Sequence, residues 1–474
     1  MHTRRVNLAR SSVAAAVLPV FMAVTAAISC SGGPAHGDSR PAGSTTPPAH
    51  TTVGFARLAG TATNWPVYHA NAARSGYVPG LPSAGRLTLD WSRRLDGAVY
   101  GQPIVVGGTV IAATENDTVY GLNRLTGRIR WRTHLGTPLP LSAQPCGNID
   151  PLGITSTPAY DPATRLVYVL AQVGTTGHIL VGLGLASGAV RYRRSVPSPD
   201  GRPAYDQQRG ALAVGNGRIY VTFGGHSGDC GPYVGSVVGM PASGHPGIIT
   251  YLVPAAIHGG IWTPGGPVIT RVGAVYIGVG NGTKSPPYDF SDSVTALTPL
   301  LHRTGYFAPA RWLTDNRNDA DLGAMAPALV GRWILQVGKN SNGYLLRAGR
   351  LGGIGGQVAL LPVCAAFGGA AVVGDTVYVP CASGGPAAVR VPPGRFHVLW
   401  RGPAAADGSP VAGGGAIWVP STSAGILYQL DPRTGQVRHK IRLGGALPHF
   451  ASPSLSGRLV LIGTMNGVVA VAGA

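Results

Sequence analysis

The sequence predicts an all-β fold, an eight-bladed β-propeller of four-stranded antiparallel blades closed by an N-terminal strand, and three observations predict it. The 474 residues include 72 Gly and 40 Pro, spread along the whole chain, which sets turns too close together for long helices. Apolar residues make up 45% of the chain, enough for a packed core. One short alternating strand, opened by a Gly-containing turn, recurs eight times, its first apolar position falling at 110, 167, 219, 275, 333, 377, 417 and 459. The mean spacing of about 50 residues is that of four-stranded blades, whose apolar faces only a neighbouring blade can cover.

Taken in order, residues 1–29 predict an export signal. Arg4, Arg5 and Arg10 precede an apolar run too short and too small in side chain to span a membrane comfortably. Thr3-Arg4-Arg5 leaves the general and twin-arginine routes open. The run ends in Ala27-Ile28-Ser29-Cys30, which resembles the lipobox of bacterial lipoproteins and implies acylation of Cys30 as the new N-terminus. Residues 30–63 are rich in Ser, Thr, Pro and Gly and predict a flexible lipid-anchored tether. Residues 64–474 then form the propeller domain. No later stretch has 18 uninterrupted apolar residues, so the expectation is an extracytoplasmic body held to the outer face of the cell membrane by its lipid alone.

Each blade repeats the same parts. The second strand carries the recurrent string, as in "GGTVIAA" at 107–113 and "GRLVLIG" at 457–463. A first strand precedes it, often opened by Pro, as in "QPIVV" at 102–106; Pro at a first position removes no ladder hydrogen bond. Third and fourth strands follow around a Thr-Gly or Ser-Gly turn, as in "VYGLNRLTGRIRW" at 119–131, "ILVGLGLASGAVRY" at 179–192 and "LYQLDPRTGQVRH" at 427–439. Only three strands follow Ser452, and "LTLDW" at 87–91 reads as the missing fourth.

The charge is unusual. Of 37 basic residues 34 are Arg, against 17 Asp and a single Glu, for a formal net charge of +19. Such a field favours anionic surfaces, so an envelope protein or an anionic wall polymer is the expected partner of a monomeric chain. No basic cluster is interleaved with aromatics, and no nucleic acid is expected. Four cysteines remain after Cys30, an even number that suggests disulfides in an exported chain. Cys364 and Cys381 flank one hairpin at its open end and are paired here, which leaves Cys146 with Cys230. No Cys-x-x-Cys and no His at ligand spacing point to a metal.

The strings at 119–131 and 427–439 resemble the repeat of the pyrroloquinoline-quinone (PQQ) type β-propeller, over roughly residues 85–472. That family includes PQQ-dependent alcohol dehydrogenases and the non-catalytic scaffold lipoproteins of outer-membrane assembly. "GGIWTPGGP" at 259–267 and "VYIGVGNGTKSPPYDFSDSVTAL" at 275–297 resemble the dehydrogenase stretch that supplies an aromatic floor under the quinone and a calcium-binding Asn. The resemblance implies these roles for Trp262 and Asn281. It makes Lys339, in "VGKNSNGYLL", the cation near the quinone carbonyls, and Arg209, in "QQRGALAV", the partner of a quinone carboxylate. Asp315, Asp319 and Asp321 occupy the region of the family's general base without a motif that ranks them.

Departures point away from catalysis. The adjacent Cys-Cys pair is missing, no haem-attachment motif is present, and the single Glu, Glu115, lies in blade one, so the family's calcium-binding Glu has no counterpart. The expectation is therefore a non-catalytic binding or scaffolding module at the cell envelope with no assigned cofactor. The alternative is a dehydrogenase of small alcohols or sugars, using PQQ with Ca2+ at an altered calcium site. Nucleophile elbows, His-Glu-x-x-His and phosphate loops are absent.

Overall fold

The computed structural model describes residues 64–175 and 177–473; the expected leader, the acylated Cys30 and the tether through residue 63 lie outside the described residues. Eight antiparallel sheets succeed one another at 104–134, 159–196, 206–252, 268–308, 328–362, 371–401, 411–442 and 454–472, blades one to eight. Each second strand contains one of the eight recurrent strings, for example Thr109–Ala113, Val275–Val279 and Leu459–Thr464. Blade four gains Gly353–Ile354 as a parallel fifth strand at its outer edge. In blade eight the outermost position is held by Thr88–Arg94, antiparallel to Gly467–Ala472.

Burial explains the strand patterns. Thr109–Ala113 and Val275–Val279 are buried throughout, because inner strands are covered on both faces by neighbouring blades. Fourth strands such as Ile129–His134 bury only their alternate inward residues, here Trp131, and otherwise face solvent. Apolar clusters fill the seams. Ile111, Trp131 and Val169 join blades one and two, and a continuous cluster runs from Trp418 of blade seven through Leu461 of blade eight to Val110 of blade one. Each fully buried side chain of this size contributes about 1.5–3 kcal/mol.

Fourth-strand tryptophans lock each such blade to the turn of the next. The Trp131 ring occupies the space that a Cβ on Gly188 would need, and its Nε1 donates to the Leu185 carbonyl at 3.0 Å. Gly188 also has φ +68°, so the Ser-Gly turn requires glycine for its handedness and again for the ring laid over it. Trp91 over Gly127 and Trp400 over Gly435 repeat the contact.

Residues 64–85 have an architectural role that sequence patterning did not reveal. Trp65 and Val105 exchange backbone hydrogen bonds, the Tyr160 N–H donates to Pro66, Ile269 to Ala72, Val372 to Ser75 and Ala412 to Gly76. The first strands of blades one, two, four, six and seven therefore all bond to this one segment. A segment that reaches first strands around the whole ring lies at its centre. Arg74, 3% exposed, directs its guanidinium to three carbonyls: Nε to Pro267 at 3.1 Å, Nη1 to Tyr68 at 3.1 Å and Nη2 to Leu212 at 2.9 Å. The fully buried His69 ring stacks on Tyr68 at 4.2 Å, with Nδ1 3.0 Å from the Ala370 carbonyl and Nε2 3.0 Å from Ser452 Oγ.

Two disulfides, in the pairs expected from the sequence, fasten connections outside the sheets. Cys146, between blades one and two, is bonded to Cys230 of blade three with Cα atoms 6.1 Å apart, and Cys364 is bonded to Cys381 with Cα atoms 5.6 Å apart.

Candidate functional site

In an antiparallel blade the start of the first strand, the end of the second and the start of the third lie at the same end. Connections at that end of the ring enclose a cavity of about 600 Å³. Arg209 and Trp262 reach it from segments entering the first strands of blades three and four, and Asn281 and Lys339 from just beyond the second strands of blades four and five. All four residues singled out in the sequence line this one cavity.

An ion-pair cluster forms one wall. Lys339 Nζ lies 2.5 Å from Asp321 Oδ2 and 3.1 Å from Asp319 Oδ1, and 5.5 Å from the centre of the Trp262 ring. Asn281 locks the same acids from the other side, its backbone N–H donating to Asp321 Oδ1 at 2.5 Å and its Nδ2 to Asp319 Oδ1 at 3.1 Å. Burial alone would lower the Lys339 ammonium, but Asp321 and Asp319 outweigh it and hold the lysine above its ordinary value, so it is charged. The three candidate acids are thereby ranked: Asp321 is buried against Lys339, Asp319 is exposed at the rim, and Asp315 turns away to Arg311 and Asn340.

Aromatic rings and a second cation form the rest. Phe367 and Phe450 stack at 5.7 Å and 11°, with Trp262 tilted against both at 6.3 and 6.1 Å. Arg209 lies 5.7 Å from the Phe450 and Tyr100 rings, and its Nη2 donates to the His449 carbonyl at 3.0 Å. Burial pushes this guanidinium down, opposed by Glu115, Tyr68 and Tyr100. The cavity is thus an aromatic box with a cation at either side.

The family model described as outer membrane protein assembly factor BamB matches residues 83–266. The chain is an eight-bladed β-propeller that is similar over these residues to the PQQ-like family. Among solved structures this propeller is similar to the quinohemoprotein alcohol dehydrogenase from Comamonas testosteroni, with TM-score 0.65 and 14% identity over 86% of this chain and 80% of that one. A europium-containing methanol dehydrogenase gives TM-score 0.65 and 15% identity over 86% and 98%. BamB from Moraxella catarrhalis gives TM-score 0.58 and 16% identity over 82% and 100%. A comparison with curated protein sequences gives no match.

The propeller's cavity fits one part of a PQQ and calcium centre and not the other. A flat indole with Arg209 and Lys339 on either side suits a planar tricyclic carboxylate. Calcium takes six to eight oxygen ligands. Here both oxygens of Asp321 are already occupied, by an ammonium and an amide N–H, and Asp319 Oδ1 receives the same two residues. Among the described residues no three of His, Cys, Asp and Glu are grouped to hold a metal. Lys339 already pairs with the two carboxylates that a divalent ion would draw on.

Sequence reasoning missed the other wall. Asp229 and His226 lie just beyond the second strand of blade three, the same position that gives Asn281 and Lys339 in the next two blades, so blade register was a usable signal. Asp229 Oδ1 accepts the Tyr233 hydroxyl at 2.6 Å. Phe367 and Phe450 carried no motif. Replacing Lys339 by alanine leaves Asp321 buried without its cation, and chemical denaturation is expected to show a loss of about 2 kcal/mol, toward the low end for a broken buried pair because the lysine is partly exposed.

Proposed function

We propose that this chain is an exported, lipid-anchored binding module of the cell envelope whose axial cavity takes a planar aromatic carboxylate without calcium and without dehydrogenase turnover. One observation carries the reading: Lys339 bridges Asp319 and Asp321 beside the Trp262 face, pairing with the two carboxylates that a divalent ion would draw on. Two disulfides support residence in an oxidising compartment outside the cytoplasm, and the lipobox-like Cys30 supplies the anchor. The match to the BamB model supports an envelope protein as the partner, and the Arg-rich composition an anionic wall polymer.

The second reading, a PQQ-dependent dehydrogenase, is favoured by the convergence of Trp262, Asn281, Lys339 and Arg209 on one cavity. Titration of the purified protein with PQQ separates the two. The expected result is saturable quenching of tryptophan fluorescence that is unchanged by EDTA, with no reduction of an electron-accepting dye by alcohols or sugars. Trp262→Ala and Arg209→Ala are each expected to weaken binding about 10-fold. Quenching that needs calcium, together with dye reduction, establishes the dehydrogenase instead. Absence of any quenching removes both readings.

A further inference from the structure

Next to the axial cavity, at the seam of blades one and two, two carboxylates are buried without an ion pair among the described residues. Glu115 is 2% exposed and Asp117 0%. Glu115 Oε2 accepts the Gly153 N–H at 2.8 Å and the Thr155 hydroxyl at 3.0 Å, while its Oε1 has no partner. Neither oxygen of Asp117 has a partner. Both acids face Gly153, since a Cβ there would stand 2.8 Å from Asp117 Oδ1. Gln172, 3% exposed, donates its backbone N–H to the Gly153 carbonyl at 3.2 Å and its Nε2 to the Gly174 carbonyl at 3.1 Å, and its side-chain Oε1 is also unpartnered.

Leaving ionised carboxylates unpaired in a protein interior is among the costliest arrangements available. The nearest positive charge felt by Glu115 is Arg209, which forms no ion pair with it among the described residues. The unpartnered oxygens of Glu115 and Asp117 lie beside Gly153, where a Cβ would meet the Glu115 backbone carbonyl as well as Asp117 Oδ1, and none of these atoms is nitrogen or sulfur. An all-oxygen set with two carboxylates suits a hard divalent cation, and its burial suits calcium better than magnesium, which gives up its water ligands reluctantly.

We propose that Glu115 and Asp117, with the Gln172 amide oxygen, hold a structural calcium ion in the seam of blades one and two. Glu115 and Asp117 are not among the residues that line the axial cavity, although Glu115 is coupled through its charge to Arg209 and Tyr100, which are.

The test uses the purified full chain stripped with EDTA, dialysed against calcium or magnesium and analysed by mass spectrometry for bound metal. One calcium per chain is expected, with magnesium retained at less than a tenth of that level, and calcium is expected to raise the thermal midpoint by about 3 °C. Asp117→Asn is expected to lose both effects while melting within about 1 °C of the stripped wild type, because asparagine tolerates the positive φ at 117 and need not ionise. Should Asp117→Asn fold poorly, Glu115→Gln serves with the same expectation. Absence of retained calcium shows that the acids are neutral instead and overturns the site. Calcium that persists at full stoichiometry in a folded variant places the ion elsewhere and overturns it equally.

Discussion

Replacing Arg74 by alanine lowers the free energy of unfolding by about 4 kcal/mol, read as a shift of the urea midpoint at unchanged slope. The size follows from what the guanidinium touches. Its three hydrogen bonds go to the carbonyls of Pro267, Tyr68 and Leu212, all inside the ring, and truncation takes this donor from all three at once. Each buried acceptor left unpaired costs about 1–3 kcal/mol, and the vacated volume adds to that. Arg74→Lys recovers less than half, since an ammonium cannot address three carbonyls in the fixed fork of a guanidinium. A loss below 1 kcal/mol would show that the segment carrying Arg74 is an accessory to the ring and not one of its fastenings.

Acid unfolds the protein through the neighbouring histidine. His69 is fully buried, and burial lowers its pKa to about 3, a shift that its hydrogen bond to the Ala370 carbonyl only partly opposes. The sign follows from proton uptake. Between about pH 6.5 and 3 the unfolded chain binds a proton at this position and the folded chain does not, so stability falls as pH falls across that window and is fully present above it. Roughly 4 kcal/mol is lost by pH 3 through this group alone. His178, lowered to about 3 chiefly by burial, acts in the same direction. Denaturant unfolding at intervals from pH 7 to 3 is expected to show the decline, and His69→Gln to flatten it relative to wild type; parallel curves would remove His69 as the cause.

Much of the ring was legible because a propeller repeats one physical problem. A sheet covered on both faces needs apolar inner strands and a tight turn before its exposed fourth strand, and both leave local marks: the string around Val110 and its seven counterparts, and the Thr-Gly and Ser-Gly turns at 126–127 and 187–188. The pocket was legible where a motif spans adjacent residues, as at Trp262 and Asn281. It was opaque where the contact is between distant blades. Phe367 and Phe450, 83 positions apart in number, meet only because the ring closes, and nothing near either announces the other. The central segment was opaque for a related reason. Its bonds are made by backbone N–H and C=O groups of many blades, and those groups are the same in every residue, so "NWPVYHANAARSG" carries no periodicity to read.

Residues 64–85 bond to first strands around the ring, and Asp319 and Lys284 are exposed residues among those that line the axial chamber. A small molecule held against Trp262 would meet solvent at the rim that Asp319 and Lys284 mark. A macromolecule that covered that rim would slow entry and escape by the same factor and leave affinity unchanged unless it touched the occupant itself. Retention time, more than tightness, is the quantity through which a docked neighbour controls what the chamber contains.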